Sequence, residues 1–138
     1  MKTLDEITGA IVDTSIKIHR DLGPGLLESV YETVLARALL RQGFGVERQK
    51  TVRFDYDGMT FEEGFRIDLL VDGLVVVELK SVETLAPVHG KQLLTYLRLM
   101  NLPVGLLLNF GAATLKEGLH RIVNRLPSQA SPHLRINR

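Results

Sequence analysis

Two carboxylates and one ammonium group follow each other closely in an otherwise apolar part of the sequence. Asp68 lies in GFRIDLLV, and Glu78 and Lys80 close the run LVVVELK, whose other residues are apolar and mostly β-branched. Such a run is typical of a strand covered on both faces, where an unpaired charge costs several kcal/mol. Folding alone therefore does not account for these three residues.

Asp68, Glu78 and Lys80 supply what metal-assisted hydrolysis of a phosphodiester requires. Two carboxylates bind a hard divalent cation such as Mg²⁺ or Mn²⁺ and leave coordination positions for water and a phosphate oxygen. A lysine orients or deprotonates the attacking water and stabilises charge that builds on phosphorus. Alternatively, Glu78 and Lys80 lie at a solvated strand end and pair with each other or with Arg66. The three residues alone leave both interpretations open.

The metal site makes a demand on the turn at Asp72-Gly73, because Asp68 must leave the sheet on the same face as Glu78. A two-residue turn pairs Asp68 with Val77 and puts its side chain on the wrong face. A three-residue turn with Gly73 at positive φ restores the match. We therefore predict a loop of odd length, or an equivalent bulge, between the two strands.

Composition limits the class of protein. The chain has 138 residues, of which 45% are hydrophobic and 24% charged, as is typical of one globular domain. It has no cysteine, which excludes disulfides, cysteine-ligated zinc and thiol catalysis. No apolar run approaches the roughly 20 residues of a membrane span, and the first residues lack the apolar stretch of a signal peptide, so we expect a cytoplasmic protein.

Charge is unevenly distributed along the chain. The net charge is +1, yet residues 110–138 hold five Lys or Arg against one Asp or Glu. A basic segment beside an acidic site is compatible with a phosphate backbone as partner, and equally with a solvated tail. We expect a single domain over residues 1–126 and an irregular basic tail over 127–138.

Periodicity predicts the order helix, helix, three-strand meander, helix, strand. This order indicates an α/β or α+β domain with a mixed central sheet. The predicted elements are a helix from Leu4, behind the Thr3–Glu6 capping box, to about Arg20; a helix from near Leu26 to Gly43; strands between Val46 and Lys80 with turns at Asp57-Gly58 and Asp72-Gly73; a helix from Pro87 to about Asn101; and a strand over Leu102 to Phe110. A short final helix is predicted from the spacing of Leu115, Leu119, Ile122, Val123 and Leu126.

The motifs together resemble a known superfamily. Asp68, then Glu78-x-Lys80 on the next strand, followed by a helix and a strand, resembles the PD-(D/E)XK nucleases. Within the helix, Gln92-Leu-Leu-Thr-Tyr96 is similar to the Q-x-x-x-Y element of the RecB-like branch. Upstream, Gly25-Leu-Leu-Glu28-Ser-Val-Tyr31 is similar to the signature of the GxxExxY family, as are the flanking residues His19 and Leu22-Gly-Pro-Gly25. The resemblance covers about residues 5–125. Ile67 replaces the proline of the superfamily name, at a position that commonly varies.

The resemblance implies a restriction-endonuclease-like core and a nuclease that uses Mg²⁺ or Mn²⁺ on DNA or RNA. It also implies that Glu28 joins Asp68 and Glu78 near one cation, and that Gln92 and Tyr96 orient the lysine, the water or a phosphate. Glu28 has a simpler alternative role, because a carboxylate in the first turn of a helix stabilises that helix. For Tyr96 the alternative is half-buried packing.

Three further residues have structural interpretations that we prefer. Tyr31 lies in the apolar stripe of its helix and is expected to support the fold. His19 is near a helix end, where a lone histidine is more often a cap than a ligand. His89 is expected to be a surface residue.

A second function stays open beside the nuclease: a non-catalytic nucleic-acid-binding or protein-interaction module. Such a module has no need for the intact set of two carboxylates and Lys80, and this set separates the two hypotheses. A glycosidase with two carboxylates is disfavoured, because Lys80 has no role in that chemistry. Because the net charge is close to neutral, we expect a homodimer or a partner protein to supply additional basic surface.

Overall fold

A six-stranded mixed sheet forms the centre of the protein. The structure, a computed structural model, describes residues 2–125 and 134–136. The strands are β1 (Val46–Tyr56), β2 (Met59–Val71), β3 (Val75–Lys80), β4 (Val104–Asn109), β5 (Leu119–Val123) and β6 (Leu134–Ile136). Their spatial order is β5-β4-β3-β2-β1-β6; β3 and β4 run parallel, and every other neighbouring pair is antiparallel.

Helices cover both faces of the sheet. They are α1 (Leu4–Leu22), α2 (Glu28–Arg41), α3 (Pro87–Met100) and α4 (Leu115–Gly118). One hydrophobic cluster joins α1 and α2 to the sheet, and a second cluster joins α3 to it. Among the helices in the described part of the chain, none combines the length and the apolar character that crossing a lipid bilayer requires.

Alternation along β3 decides which side the charged residues occupy. Val77 and Leu79 pack in the cluster with α1 and α2, whereas Val76 packs in the cluster with α3. Successive side chains of a strand point to opposite faces. Glu78 and Lys80 therefore leave β3 on the side of α3.

The predicted order α-α-β-β-β-α-β is confirmed, as are several of the predicted boundaries. The capping box at the start of α1 is present, with Thr3 Oγ1 accepting from the N–H of Glu6 at 3.1 Å and Glu6 Oε1 accepting from the N–H of Thr3 at 3.3 Å. Gly43, which follows α2, has a φ of 91°. β1 and β2 are joined by the two-residue turn 57–58.

The final predicted helix is wrong beyond its first turn. The helix ends at Gly118, and residues 119–123 form β5, which pairs with β4. Leu119 packs in the cluster with α1 and α2, whereas Ile122 packs in the cluster with α3. A strand at the sheet edge can reach both clusters because its side chains alternate, and the backbone of β4 gains a hydrogen-bonding partner. Leu126 lies outside the described residues.

Part of the C-terminal tail pairs with the sheet. Residues 134–136 form β6, which runs antiparallel to β1, with Phe54 opposite Ile136. The irregular structure predicted for the tail otherwise concerns residues outside those that the structure describes. The sheet thus has two strands more than the sequence pattern indicated, one at each edge.

Candidate active site

The connection between β2 and β3 has the length that the metal hypothesis demands. Val71 pairs with Val75 and Leu69 pairs with Val77, so the loop consists of the three residues 72–74. Gly73 has a φ of 66°, as predicted. The preceding Asp72 also has a positive φ, of 51°, which we did not predict. Continuing this register by one residue sets Asp68 opposite Glu78, and the prediction of an odd-length turn is confirmed.

Beyond Leu69 and Val77, side chains take over the hydrogen bonds between the two strands. The backbone N–H of Asp68 donates to Glu78 Oε2 at 2.7 Å, and the backbone N–H of Leu79 donates to Asp68 Oδ2 at 2.9 Å. Each carboxylate thus bonds to the backbone of the opposite strand. The two carboxylates are held close together in a gap between β2 and β3.

The environment of Glu78 disfavours its charged form. Only 8% of the residue is exposed. Burial, followed by the negative charge of Asp68, raises the pKa of Glu78 from 4.5 to about 8, while the hydrogen bond from the Asp68 backbone and the positive charge of Lys80 act in the opposite direction. Two carboxylates in one partly buried gap need a proton or a cation between them, and this pair fits a hard divalent cation.

A third carboxylate does not join this pair in the way that we expected. Glu28 is exposed in the first turn of α2. Within residues 2–125 and 134–136, no group of three or more His, Asp or Glu side chains is arranged to hold a metal ion. Asp68 and Glu78 are therefore the carboxylates that the described structure brings together.

Glu32, one helical turn after Glu28, reaches toward Asp68 through Gln49. Glu32 is 6% exposed and forms an ion pair with Arg48 at 3.0 Å. The amide of Gln49 donates to Glu32 Oε1 at 2.5 Å and to Asp68 Oδ1 at 3.3 Å. We did not single out Glu32 or Gln49 from the sequence. Glu32 follows Glu28 by four residues and therefore lies on the same face of the helix, and this spacing is the sequence signal that points to Glu32.

Lys80 ends β3 next to the carboxylate pair. Its positive charge acts on Glu78, yet the structure gives its ammonium group no hydrogen bond or ion pair to a described residue. The alternative in which Glu78 and Lys80 pair with each other or with Arg66 at a solvated strand end is not observed among these residues. Glu78 is buried, and the ammonium group is available for another partner.

The chain that leaves β3 after Lys80 is anchored on two sides. Ser81 Oγ donates to the carbonyl oxygen of Leu26 at 2.6 Å. The amide of Asn109, which is 2% exposed, accepts from the N–H of Val82 at 3.0 Å and donates to its carbonyl oxygen at 2.8 Å. We did not single out Asn109 from the sequence, although an amide at the end of a buried strand needs hydrogen-bonding partners. These bonds fix the position at which Lys80 ends the strand.

Of the two predicted residues on α3, Tyr96 lies near the carboxylates. Its ring stacks on Phe65 with centroids 4.4 Å apart. Burial raises the pKa of Tyr96, and the negative charges of Glu78 and Asp68 raise it further. Gln92, one turn earlier, is exposed, and no hydrogen bond joins its side chain to a described residue.

The histidines have structural contacts. His89 Nδ1 accepts from the N–H of Ala86 at 3.2 Å, at the start of α3. His19 is 7% exposed, and its Nε2 lies 2.9 Å from the carbonyl oxygen of Ala112. His19 thus connects the end of α1 to the loop after β4, instead of capping its own helix through its ring.

Tyr31 supports the loop that leads to α2. Its buried ring stacks on Phe110 with centroids 4.4 Å apart. Its hydroxyl donates to the carbonyl oxygen of Gly23 at 2.5 Å and accepts from the N–H of Leu26 at 3.2 Å. The supporting role predicted for this residue agrees with these contacts.

Comparison with known proteins gives the family. A family model described as the PD-(D/E)XK nuclease superfamily matches residues 5–122. The chain belongs to this superfamily, whose members generally use divalent metals and act on nucleic acids. The mixed sheet flanked by helices is consistent with its restriction-endonuclease-like fold. Searches of the curated proteins and of the solved structures returned no match.

Proposed function

We propose that this protein is a divalent-metal-dependent nuclease that hydrolyses phosphodiester bonds of DNA or RNA. We further assign it to the GxxExxY family of the RecB-like branch, on the strength of its Gly25-x-x-Glu28-x-x-Tyr31 and Gln92-x-x-x-Tyr96 motifs. The observation that carries the proposal is that Asp68 and Glu78 lie together in one gap, beside the ammonium group of Lys80, which bonds to none of the residues that the structure describes.

Each residue has a distinct task in this proposal. Asp68 and Glu78 would hold Mg²⁺ or Mn²⁺, with Glu28 assisting through a water molecule. When bound, the cation supplies positive charge that activates water and stabilises the phosphate oxygens. Ionisation of Glu78 has to precede or accompany binding, because its proton and the cation compete for the same carboxylate.

Lys80 would orient the nucleophilic water molecule. Its positive charge acts on Glu78 and partly offsets the rise in that residue's pKa. The ammonium group forms no hydrogen bond or ion pair with the described residues. A water or phosphate oxygen can therefore take its hydrogen bonds. On α3, Tyr96 presents its hydroxyl near the same charges, and Gln92 is accessible to the substrate.

The test is cleavage of linear and single-stranded DNA and RNA with Mg²⁺, with Mn²⁺ and with a chelator. We expect cleavage that requires the cation, that Asp68→Ala abolishes and that Lys80→Ala strongly reduces. Asp13→Ala and Lys91→Ala, which remove exposed charges of the same types from α1 and α3, serve as matched controls and should cleave normally. The proposal would be refuted if the wild type cleaved with none of the metals, or if Asp68→Ala and Lys80→Ala cleaved as fast as the wild type.

One observation favours the second hypothesis, a non-catalytic binding module: the described residues offer two converging carboxylates and no third. A module of this kind binds nucleic acid without cleaving it, and Asp68→Ala leaves binding intact or strengthens it by removing negative charge. Binding measured beside cleavage in the same samples separates the two functions. A homodimer or a partner protein that contributes basic surface is part of either proposal.

A further inference from the structure

Gln49 has an unusual backbone conformation in the middle of a strand. Its φ is 49°, and the other non-glycine residues with positive φ in the described chain lie in turns or at a helix end. The flanking residues keep the β1–β2 register, with Arg48 opposite Leu69 and Lys50 opposite Ile67. A positive φ is unfavourable for a residue with a Cβ and persists where the surroundings enforce it.

The side chain of Gln49 shows what the conformation achieves. In the register of β1 and β2, Gln49 falls opposite Asp68. Its amide nitrogen has two hydrogens, and the structure directs one to Asp68 Oδ1 and the other to Glu32 Oε1. Both donors of the amide are thereby used on carboxylates.

The partner on the other side of the amide is itself fixed. Glu32 is 6% exposed, and Arg48 bonds to its Oε2 through Nε at 3.1 Å. A second guanidinium nitrogen of Arg48 bonds to Thr33 Oγ1 at 2.9 Å. A continuous series of contacts therefore runs from Arg48 through Glu32 and Gln49 to Asp68.

For Asp68 the result is a carboxylate held at both oxygens. Oδ2 accepts from the N–H of Leu79, and Oδ1 accepts from Gln49. Each oxygen keeps a further lone pair for a cation. Groups that hydrogen-bond to a metal ligand fix its orientation, and their loss typically lowers metal affinity about 10- to 100-fold.

We propose that Gln49 is a positioning residue of the metal site: its amide, held by Glu32, orients the Asp68 carboxylate toward the bound cation. The inference rests on the proposed function, because it takes Asp68 as a metal ligand. It assigns a role in that site to β1 and to the buried Glu32, which are separate from the motifs that indicate the superfamily.

The experiment is calorimetric titration of the whole protein with Mn²⁺, together with the melting temperature of the metal-free form. Gln49→Gly removes the amide and accepts positive φ without strain. Gln42→Ala is the matched control, because it removes a glutamine amide that bonds to Thr14 Oγ1 at 2.9 Å, on an exposed part of the surface.

We expect the dissociation constant for Mn²⁺ to rise about 10- to 100-fold in Gln49→Gly. Metal-free Gln49→Gly loses one hydrogen bond to Glu32 but gains from the relief of the positive φ, so it should still unfold in one cooperative transition, which separates loss of positioning from loss of folding. Gln42→Ala should bind Mn²⁺ as the wild type does. Wild-type affinity in Gln49→Gly overturns the inference.

Asp68→Asn in the same titration distinguishes this inference from the function on which it rests. If Asp68→Asn loses Mn²⁺ binding while Gln49→Gly keeps it, Asp68 is a ligand and Gln49 does not position it. If the wild type binds no Mn²⁺, or Asp68→Asn binds it equally well, the proposed metal site fails and the role of Gln49 fails with it.

Discussion

The backbone N–H of Asp68 donates to Glu78 Oε2 at 2.7 Å, so the first predicted metal ligand holds the second in place. The reciprocal contact runs from the N–H of Leu79 to Asp68 Oδ2. Both carboxylates therefore take positions where backbone hydrogen bonds would otherwise continue the β2–β3 ladder. The geometry and the electrostatics of the site follow from this exchange, because it brings two carboxyl groups together between strands that packing holds in register.

The first prediction concerns Glu78 and pH. A glutamate has an ordinary pKa of 4.5 and Glu78 has one of about 8, so between these values the folded protein retains a proton that the unfolded chain has released. The stability that this proton contributes is complete below pH 4.5 and is lost as pH rises through about 8. Metal-free protein should therefore become less stable over this range.

Glu78→Gln tests that prediction, because the amide is neutral at every pH. We expect its melting temperature to match the wild type near pH 5 and to exceed it by roughly 3 to 10 °C at pH 9, while metal-dependent cleavage is lost. The matched control is Glu83→Gln, an exposed glutamate in the loop after β3. A melting-temperature difference that does not change with pH would contradict the assignment.

The second prediction concerns Lys80. Lys80→Ala should lower the cleavage rate at saturating metal by about 10²- to 10⁴-fold, the usual range for a group that handles the proton of a nucleophile. Because no described residue bonds to the ammonium group, unfolding free energy should change by less than about 0.5 kcal/mol. Rates and denaturant unfolding are measured on the same samples. A large loss of stability would indicate a structural role instead.

The third prediction separates the ring of Tyr96 from its hydroxyl. Tyr96→Phe preserves the stack on Phe65 and should keep wild-type stability while cleaving more slowly. Tyr96→Ala removes the stack and should cost about 0.5–1.5 kcal/mol beyond the loss of buried area. Denaturant unfolding measures the difference. If Tyr96→Phe cleaved as fast as the wild type, the role of Tyr96 would be packing alone, which is the alternative given in the sequence interpretation.

The fourth prediction concerns the Tyr31 hydroxyl. Tyr31→Phe leaves the carbonyl of Gly23 and the N–H of Leu26 without this partner, and we expect a loss of about 1–3 kcal/mol in unfolding free energy. Tyr96→Phe is the comparison, because its hydroxyl has no hydrogen bond to a described residue. Equal stability of Tyr31→Phe and wild type would show that the loop before α2 does not depend on this hydroxyl.

Local patterns predicted the elements whose stabilising contacts are near in sequence. The capping box at Thr3, the end of α2 before Gly43 and the turn at 57–58 all depend on neighbouring residues. The length of the 72–74 loop was predicted differently, from the requirement that Asp68 and the next carboxylate share a face. The requirement of the metal site thus predicted the strand register, where residue propensities alone allowed a turn of either length.

Contacts between distant segments could not be predicted in the same way. The spacing of Leu119 and Ile122 fits a helix, and the free edge of β4 makes it a strand. Gln49 and Glu32 reach the site only after β1 folds beside β2 and α2 packs over both. Glu28 matches its motif, yet its exposed position in the structure leaves its role a proposal.

The most direct test of the central claim, that Asp68 and Glu78 share one divalent cation, is calorimetric Mn²⁺ titration in two buffers with different ionisation enthalpies. We predict one binding site that releases about one proton at pH 7 and almost none at pH 9.5, because Glu78 has a pKa of about 8. Asp68→Asn and Glu78→Gln should both abolish this binding. Binding of equal strength in either variant, or proton release that is the same at both pH values, would contradict the account.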